Sequence, residues 1–331
     1  MTTTVLLPDA ATPLDHASAF AAFGDLLDGK VAEDHARHFL TVMAERDETS
    51  IEIAAAAMAL RERMIPVTAP AGAIDVCGTG GDGSHSLNVS TAVAIVVAAC
   101  GVPVAKHGNR AASSKAGSSD TLEALGLDLD RASARAEESL ADLGIAFLFA
   151  QLHHPALKHL AAVRRAIGRR TIFNLIGPIA NPARVTRQLI GVARPDYLPI
   201  YAEALSLIGT ESAMMVAGDE PLDELSIAGP SSIVRLGACG EGAIRITPED
   251  AGLTRHPLEA LRGGDAAHNA AALGRLLDGE HGAYRDAVLL NAAAALIVAG
   301  HANDLREGVE EAAEAIDKGL AKQLLACWIA F

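Results

Sequence analysis

A small all-helical domain joined to a larger α/β domain, with a central and mostly parallel sheet flanked by helices, is the fold class predicted for these 331 residues. Three observations predict it. The first seventy residues place apolar side chains at helical spacing and contain no strand-like run. A turn-rich stretch follows, Pro66-Val67-Thr68-Ala69-Pro70-Ala71-Gly72. Beyond it, short apolar runs alternate with helical patterns, as parallel βαβ units require. Half the residues are hydrophobic and only 3% aromatic, and an Ala-, Leu-, Val- and Ile-rich core suits helices on a parallel sheet better than a β-sandwich.

Residues 17–27, 33–45 and 50–63 read as helices, with Gly29 stopping the first. Residues 73–77 form a short strand that runs into Gly78-Thr79-Gly80-Gly81-Asp82-Gly83. Residues 88–100 are an apolar helix and 102–105 the second strand. Helices at 118–125 and 130–143 precede a third strand at 146–149 and a helix at 154–165. Residues 171–184, punctuated by Gly177-Pro178 and Asn181-Pro182, are expected to be a loop. Strands at 188–192 and 213–216 bracket a helix at 198–207, and 232–236 with 243–247 should form an antiparallel pair. From Pro257 onward the chain is mostly helical, including the strongly apolar 286–299. The small domain is expected over residues 1–70 with a helical segment at about 154–182, and the large domain over 72–153 and 183–331.

A net charge of −14 argues against a general nucleic-acid binder, which needs a basic face. The charge is unevenly spread. No acid occurs from 143 to 195, a stretch carrying Lys158, Arg164, Arg165, Arg169, Arg170, Arg184, Arg187 and Arg194. None occurs from 83 to 119 either, where Lys106, Arg110 and Lys115 stand. Two acid-free basic stretches in an acidic chain suit a small polyanion held in a cleft, and equally a solvated basic face. The apolar run at 92–105 is broken by Gly101 and Pro103 and is too short to cross a membrane. With no basic, apolar leader at the start, a cytoplasmic protein is expected. Cys77, Cys100, Cys239 and Cys327 lie far apart without a CxxC pair and read as buried, reduced thiols.

Four clusters could carry chemistry. Gly78, Gly80, Gly81 and Gly83 remove Cβ atoms, which lets N–H groups approach an anion and permits positive φ. The segment precedes a helix opened by Asn88, Ser90 and Thr91, and a helix N-terminus attracts phosphate. Hydroxyls of Thr79, Ser86, Ser90 and Thr91 add donors. The spacing is neither a dinucleotide-binding GxGxxG nor a P-loop. A purely structural turn fits the glycines too, while Asp82 and the hydroxyl-rich helix favour an anion site. At the carboxyl end of the second strand, where open α/β sheets bind ligands, stand Lys106-His107-Gly108-Asn109-Arg110 and Ser113-Ser114-Lys115-Ala116-Gly117-Ser118-Ser119-Asp120. They are dense in cations and hydroxyls, as an exposed polar loop also is. Asp219-Glu220-Pro221-Leu222-Asp223-Glu224 supplies hard oxygen ligands of the kind magnesium takes alongside substrate phosphates, although an acidic surface turn reads alike. Arg164, beside Arg165, can hold a carboxylate bidentately or simply be solvated. His107 falls inside the second cluster, whereas His153, His154 and His159 read as the polar face and end of a helix.

Together these segments resemble the anthranilate phosphoribosyltransferase family. The likeness rests on Asp75-Val76-Cys77 with the glycine segment, Asn88-Val89-Ser90-Thr91, the two runs between Lys106 and Asp120, the run from Thr171 through Asn174 to Pro182, Leu222-Asp223-Glu224, and Asp286-Ala287-Val288-Leu289-Leu290-Asn291-Ala292-Ala293. It extends from about residue 25 to the end. Residues 1–24 depart from the family pattern, and Ala150-Gln151-Leu152-His153 stands where a proline and an aromatic are usual. The pyrimidine nucleoside phosphorylases share the architecture but are expected to carry a serine in place of Gly108 and a different glycine loop. A non-catalytic, nucleic-acid-binding relative is the other alternative, and the complete glycine loop, paired carboxylates and negative charge count against it.

The resemblance implies transfer of the phosphoribosyl group from 5-phosphoribosyl 1-pyrophosphate (PRPP) to the amine of anthranilate, a step of tryptophan synthesis. It implies a homodimer joined through the helical domain and two Mg²⁺ per protomer, with neither nucleic acid nor membrane as partner. PRPP would meet Gly78, Gly81, Asp82, Ser86, Asn88, Val89, Ser90, Thr91, Lys106, His107, Gly108, Asn109, Arg110, Ala111, Ala112, Ser113, Ser114 and Ser118. Anthranilate would meet Gly78, Asn109, Arg164 and Pro178. Ser90, Asp223 and Glu224 would hold the metal. No acid–base catalyst is implied, since the attacking nitrogen is already neutral. Lys106 and Arg164 assist by charge and position.

Overall fold

The computed structural model describes residues 5–110, 115–220 and 222–331. Its N-terminal helices, His16–Leu27, Glu33–Glu45 and Ser50–Arg61, start where the local chemistry stops the preceding chain. Asp15 caps the first by accepting from the Ser18 N–H at 2.8 Å. Thr49 and Glu52 form a capping box on the third. The Glu52 carboxylate is fully buried, pairs with Arg46, and accepts from the Leu14 N–H at 2.9 Å. That contact draws the start of the chain into the core, where Ala10 and Leu14 are buried with Phe23 and Phe39.

Seven strands form one sheet: β1 Ile74–Gly78, β2 Val104–Gly108, β3 Ile145–Phe149, β4 Arg187–Gly191, β5 Ser212–Gly218, β6 Ser231–Gly237 and β7 Gly242–Ile246. Their order is β3-β2-β1-β4-β5-β6-β7. The pairs from β3 across to β5 are parallel and the last two antiparallel, so the expected architecture is the one found. The chain builds outward from β1 to β3 and then returns to the other side of β1 with β4. The seam between β1 and β4 is therefore the topological switch point, where ligands of open α/β sheets bind at the carboxyl ends of the strands.

Alternation along the strands assigns each sheet face to its own core. Val76, Leu189, Met214 and Val216 pack with helices Val89–Ala99 and Ala283–Ala299 and with Trp328 near the end of the chain. Ile190, Ala213, Met215 and Ala217 face the other way, toward Tyr197, Tyr201 and the N-terminal helices. The second cluster also takes in Leu160, Val163, Ile172, Phe173 and Ile179, so the helical unit shares apolar surface with the sheet.

Several details differ from expectation for physical reasons. The second strand runs two residues later at its start and extends to Gly108, which places Lys106 and His107 inside the sheet, in register with Phe147 and Leu148 of β3. Residues 130–143 are not one helix but two, Leu129–Ala134 and Ala136–Asp142, separated at Arg135 with φ −110° and ψ 21°. The break lets Leu129 enter the large core while Ala136 and Leu140 pack on Ala146 and Leu148. The stretch from His154 begins as a 3₁₀ helix, Pro155–Leu160, and becomes α-helical over Ala161–Ile167. Proline has no N–H to donate and suits a first turn. Within 171–184 a Thr171–Asn174 capping box starts a helical turn, Ile172–Leu175, and Pro178–Ala180 is 3₁₀. All four cysteines are free, but only Cys77 is buried. Cys100 and Cys239 are half-buried, and Cys327 is exposed because the last helix, Leu320–Ala330, turns Ala321, Leu325 and Trp328 inward instead.

Candidate active site

The two strands flanking the switch point end in glycine, with Gly78 opposite Gly191. A Cβ on Gly78 would fall on the Asp223 carboxylate, and one on Gly191 on the Asp223 carbonyl. Both glycines are there because the acidic turn after β5 lies directly over the seam. The glycine segment continues in the left-handed region at Gly80, Gly81 and Gly83, with φ of 66°, 73° and 79°. Gly80 N–H donates to Asp223 Oδ2 at 2.7 Å. Asp82 accepts from Ser84 Oγ at 2.8 Å and from the Asp223 N–H at 3.3 Å.

Three carboxylates thus approach one another. Burial, and then the Asp82 charge, pushes the Asp223 carboxyl up to about 7. Burial, and then Asp223, pushes Glu224 well above the usual range, with Lys106 acting in the opposite sense. Lys106 is 2% exposed, and its Nζ donates to the Val76 carbonyl at 2.6 Å and to Ser90 Oγ at 3.3 Å. Two acids side by side, near the Lys106 amine and the Ser90 hydroxyl, make an oxygen donor set of the kind a hard dication takes. Among the described residues no cluster of three or more His, Cys, Asp or Glu suited to a metal occurs. Two carboxylates completed by substrate phosphates is the usual magnesium arrangement.

Helix Val89–Ala99 points its N-terminus at this acidic turn, where the Ser90 backbone lies against Glu224. Asn88 precedes the helix yet gives no side-chain cap. Its amide is engaged elsewhere, accepting from Thr121 Oγ1 at 2.5 Å and Asn269 Nδ2 at 2.8 Å. No cap therefore stands between the first turn and a ligand, and the Thr91 hydroxyl is buried without a partner. Ser86 pairs with Arg262 in an isolated antiparallel bridge that closes the loop before the helix. Gly78, Gly81, Asp82, Val89, Ser90, Thr91, Lys106, Asp223 and Glu224 therefore converge on one end of the sheet.

The other wall comes from the acid-free stretch. His107 Nδ1 lies 3.0 Å from the Gly177 carbonyl, so that nitrogen carries the proton, and His107 Nε2 accepts from His154 Nε2 at 3.2 Å. Burial lowers His107 well below its ordinary value and His154 to about 4, which keeps both neutral. His153 and His154 are buried rather than on a polar helix face: His153 Nδ1 lies 3.0 Å from the Ile65 carbonyl, just after the third N-terminal helix, and His154 meets the His107 ring of the sheet. Pro178 is buried, and its carbonyl accepts from Gln188 Nε2 at 2.8 Å. Arg164 sits half-buried 5.8 Å over the Phe173 ring, with its pKa lowered by burial. Among the described residues it has no carboxylate partner.

Asn109 and Ser118 join across the mouth, with Ser118 Oγ donating to the Asn109 carbonyl at 3.2 Å. Gln151 Nε2 donates to Asn109 Oδ1 at 3.4 Å. Arg110 is held by Asp120 and Glu123 at 2.8 and 2.7 Å, so its charge is balanced within the protein. A Cβ on Gly108 would lie 2.5 Å from the Phe147 ring and from Ser118 Oγ. Ala111, Ala112, Ser113 and Ser114, and Pro221 of the acidic turn, lie outside the described residues.

Some site residues escaped the sequence reading. Arg170 donates to the Gly80 carbonyl at 2.9 Å and bridges the helical unit to the glycine segment. Asp75 is fully buried and accepts from the His107 N–H at 3.0 Å and from Asn181 Nδ2 at 2.8 Å. The one available signal was an acid inside an apolar strand, which must find partners when buried.

Comparison with known proteins gives the family. Residues 71–322 match the model of the glycosyl transferase family, a/b domain. The anthranilate phosphoribosyltransferase of Novosphingobium aromaticivorans is 64% identical over 325 residues, covering 98% of each chain. The crystal structure of anthranilate phosphoribosyltransferase (TrpD) from Thermus thermophilus superposes with a TM-score of 0.92 at 44% identity, covering 97% of this chain and 96% of that one. The Saccharomyces cerevisiae enzyme in complex with PRPP and Mg gives 0.88 at 28% identity, covering 99% and 96%. With likeness of that degree along nearly its whole length, the chain belongs to the anthranilate phosphoribosyltransferase family.

Proposed function

We propose that the cleft at the β1–β4 seam transfers the phosphoribosyl group of PRPP to the amine of anthranilate, releasing pyrophosphate in tryptophan biosynthesis. The observation that carries this reading is the meeting of an uncapped helix N-terminus, a buried lysine and the Asp223–Glu224 pair at one end of the sheet, with Arg164, which has no carboxylate partner among the described residues, on the acid-free wall. In the reaction the nitrogen–C1 bond forms as the C1–oxygen bond breaks. The bonding pair leaves on pyrophosphate, and the nitrogen then gives up a proton. The leaving group gathers negative charge, so preorganised donors at its position lower the barrier most. N–H groups of Gly78, Gly81, Asp82 and the turn at Val89, Ser90 and Thr91 cradle it, and Lys106 neutralises it. Ser86, Asn88, His107, Gly108, Asn109, Arg110 and Ser118 line the ribose and phosphate positions, with Ala111 to Ser114.

Ser90, Asp223 and Glu224 would hold Mg²⁺, two ions per protomer, which supplies charge neutralisation of pyrophosphate when bound. Arg164 receives the anthranilate carboxylate, with Gly78, Asn109 and Pro178 around the ring, and so fixes the amine in line with C1. The crowding at Gly108 favours this reading over a phosphorylase, because a serine there would overlap Phe147 and Ser118. Residues 1–70 with 154–182 act as the small domain, against 72–153 and 183–331, and two copies pair through it. No helix among the described residues is long and apolar enough to cross a membrane, and we place the protein in the cytoplasm. Adding PRPP and Mg²⁺ to protein with anthranilate tests the assignment. Loss of anthranilate fluorescence is expected. Unchanged fluorescence, or release of free base from thymidine or uridine with phosphate, would overturn it.

A further inference from the structure

We infer that helix Ala283–Ala299 is a spacer that sets the separation between the anion-binding helix start and the acid pair, and that Tyr284 and Asn291 are the positioning residues at its two contacts. Tyr284 and Asn291 are seven residues apart, hence two turns along one face and about 10 Å along the axis. At the first contact the Tyr284 hydroxyl donates to the Asn88 carbonyl at 3.1 Å, two residues before Ser90. At the second, Asn291 takes both backbone groups of Leu225, the residue after Glu224. Its Oδ1 accepts from the Leu225 N–H at 2.9 Å and its Nδ2 donates to the Leu225 carbonyl at 3.0 Å. Nδ2 also donates to Ala287 of its own helix at 2.9 Å, which fixes the amide orientation.

Asn291 is fully buried in an otherwise apolar stretch of helix. A polar residue there is costly unless satisfied, and this one is satisfied by the loop that presents the acids. The helix itself is well anchored. It packs along Val89–Ala99, and a Cβ on Gly308 would meet Ala293 at 2.7 to 2.8 Å, so the neighbouring helix approaches it closely. A rigid helix holding two site segments by backbone atoms fixes their spacing whatever side chains they bear.

The inference rests on the reading that Ser90, Asp223 and Glu224 hold the metal. Mn²⁺ binding to the intact protein with PRPP present, followed by electron paramagnetic resonance, tests it alongside separate KM values for the two substrates. Tyr284→Phe keeps the ring and loses only the hydroxyl, and Asn291→Asp keeps the acceptor but loses the donor. Each is expected to weaken Mn²⁺ binding about tenfold, the lower end for residues behind metal ligands, with the anthranilate KM within about twofold. Because both contacts set one distance, the double variant should lose less than the product of the single losses. Unchanged Mn²⁺ affinity in Tyr284→Phe, or losses that multiply in the double variant, would overturn the spacer. Should Asn291→Asp fail to fold, Tyr284→Phe decides alone. Asp223→Asn with Glu224→Gln serves as the control. If it leaves Mn²⁺ binding intact, the metal-site reading fails and the spacer with it. If it abolishes binding while Tyr284→Phe does not weaken it, the spacer alone fails.

Discussion

The two walls of the cleft are opposites in charge, though they share one sheet edge. On one side Asp82, Asp223 and Glu224 crowd together until burial and mutual repulsion raise the affinity of Asp223 and Glu224 for protons. On the other, no acid occurs from 143 to 195, and the wall offers neutral histidines and an arginine that has no carboxylate partner among the described residues. On the proposed reading, this polarity keeps two anionic substrates apart, the carboxylate wall taking a dication and through it pyrophosphate, and the Arg164 guanidinium taking a carboxylate. The glycines at 78 and 191 make the contrast possible, because any side chain there would lift the acidic turn off the seam.

Discharging the acidic wall should abolish the polarity most severely. Asp223→Asn with Glu224→Gln should lower kcat by on the order of 10²–10³-fold, the scale of losing preorganised charge stabilisation. It should also blunt the magnesium dependence, and an unchanged magnesium titration would show that the acids do not hold the metal. The basic wall should respond differently. Arg164→Ala should raise the KM for anthranilate roughly 10- to 100-fold, from the ~1.5–3 kcal/mol of a charged hydrogen bond, with the KM for PRPP within about twofold. Equal effects on both substrates would remove Arg164 from the acceptor site.

The smallest effect concerns pH. Asp223 binds its proton more tightly folded than unfolded, its pKa rising from 3.8 to about 7. The folded state therefore holds the extra proton in that window, and the contribution of Asp223 to metal-free stability falls as pH rises through it. On the proposed metal site Mg²⁺ takes the place of the proton, so added Mg²⁺ should raise the melting temperature by ~2–4 °C at pH 8 and little at pH 5. A stabilisation equal at both pH values would separate metal binding from these carboxyls.

Much of the fold was legible because its signals are local. The helices at 17–27, 33–45 and 50–63 end within a residue or two of His16–Leu27, Glu33–Glu45 and Ser50–Arg61, since Asp15 and the Thr49–Glu52 box act within one turn. The second strand was misplaced because Lys106 and His107 look like loop residues until Val76, Asp75 and Ser90 supply their partners. The Arg135 break was hidden for a similar reason. Nothing in its neighbours marks it, and the cause is that the two halves pack in different cores.

The alternation of strands and helices, the glycine segment, and the separation of acid-rich from acid-free stretches all follow from the chain alone, because propensity, spacing and charge are properties of neighbours. Which side chains face one another is a matter of tertiary packing. Packing brought Asp223 down onto Gly78 and Gly80, set Arg170 on the glycine segment, joined His107 to His154, and gave Leu225 to Asn291. These contacts join residues 47 to 145 positions apart, from His107–His154 to Gly78–Asp223, and burial there is what turns ordinary carboxyls and imidazoles into a site.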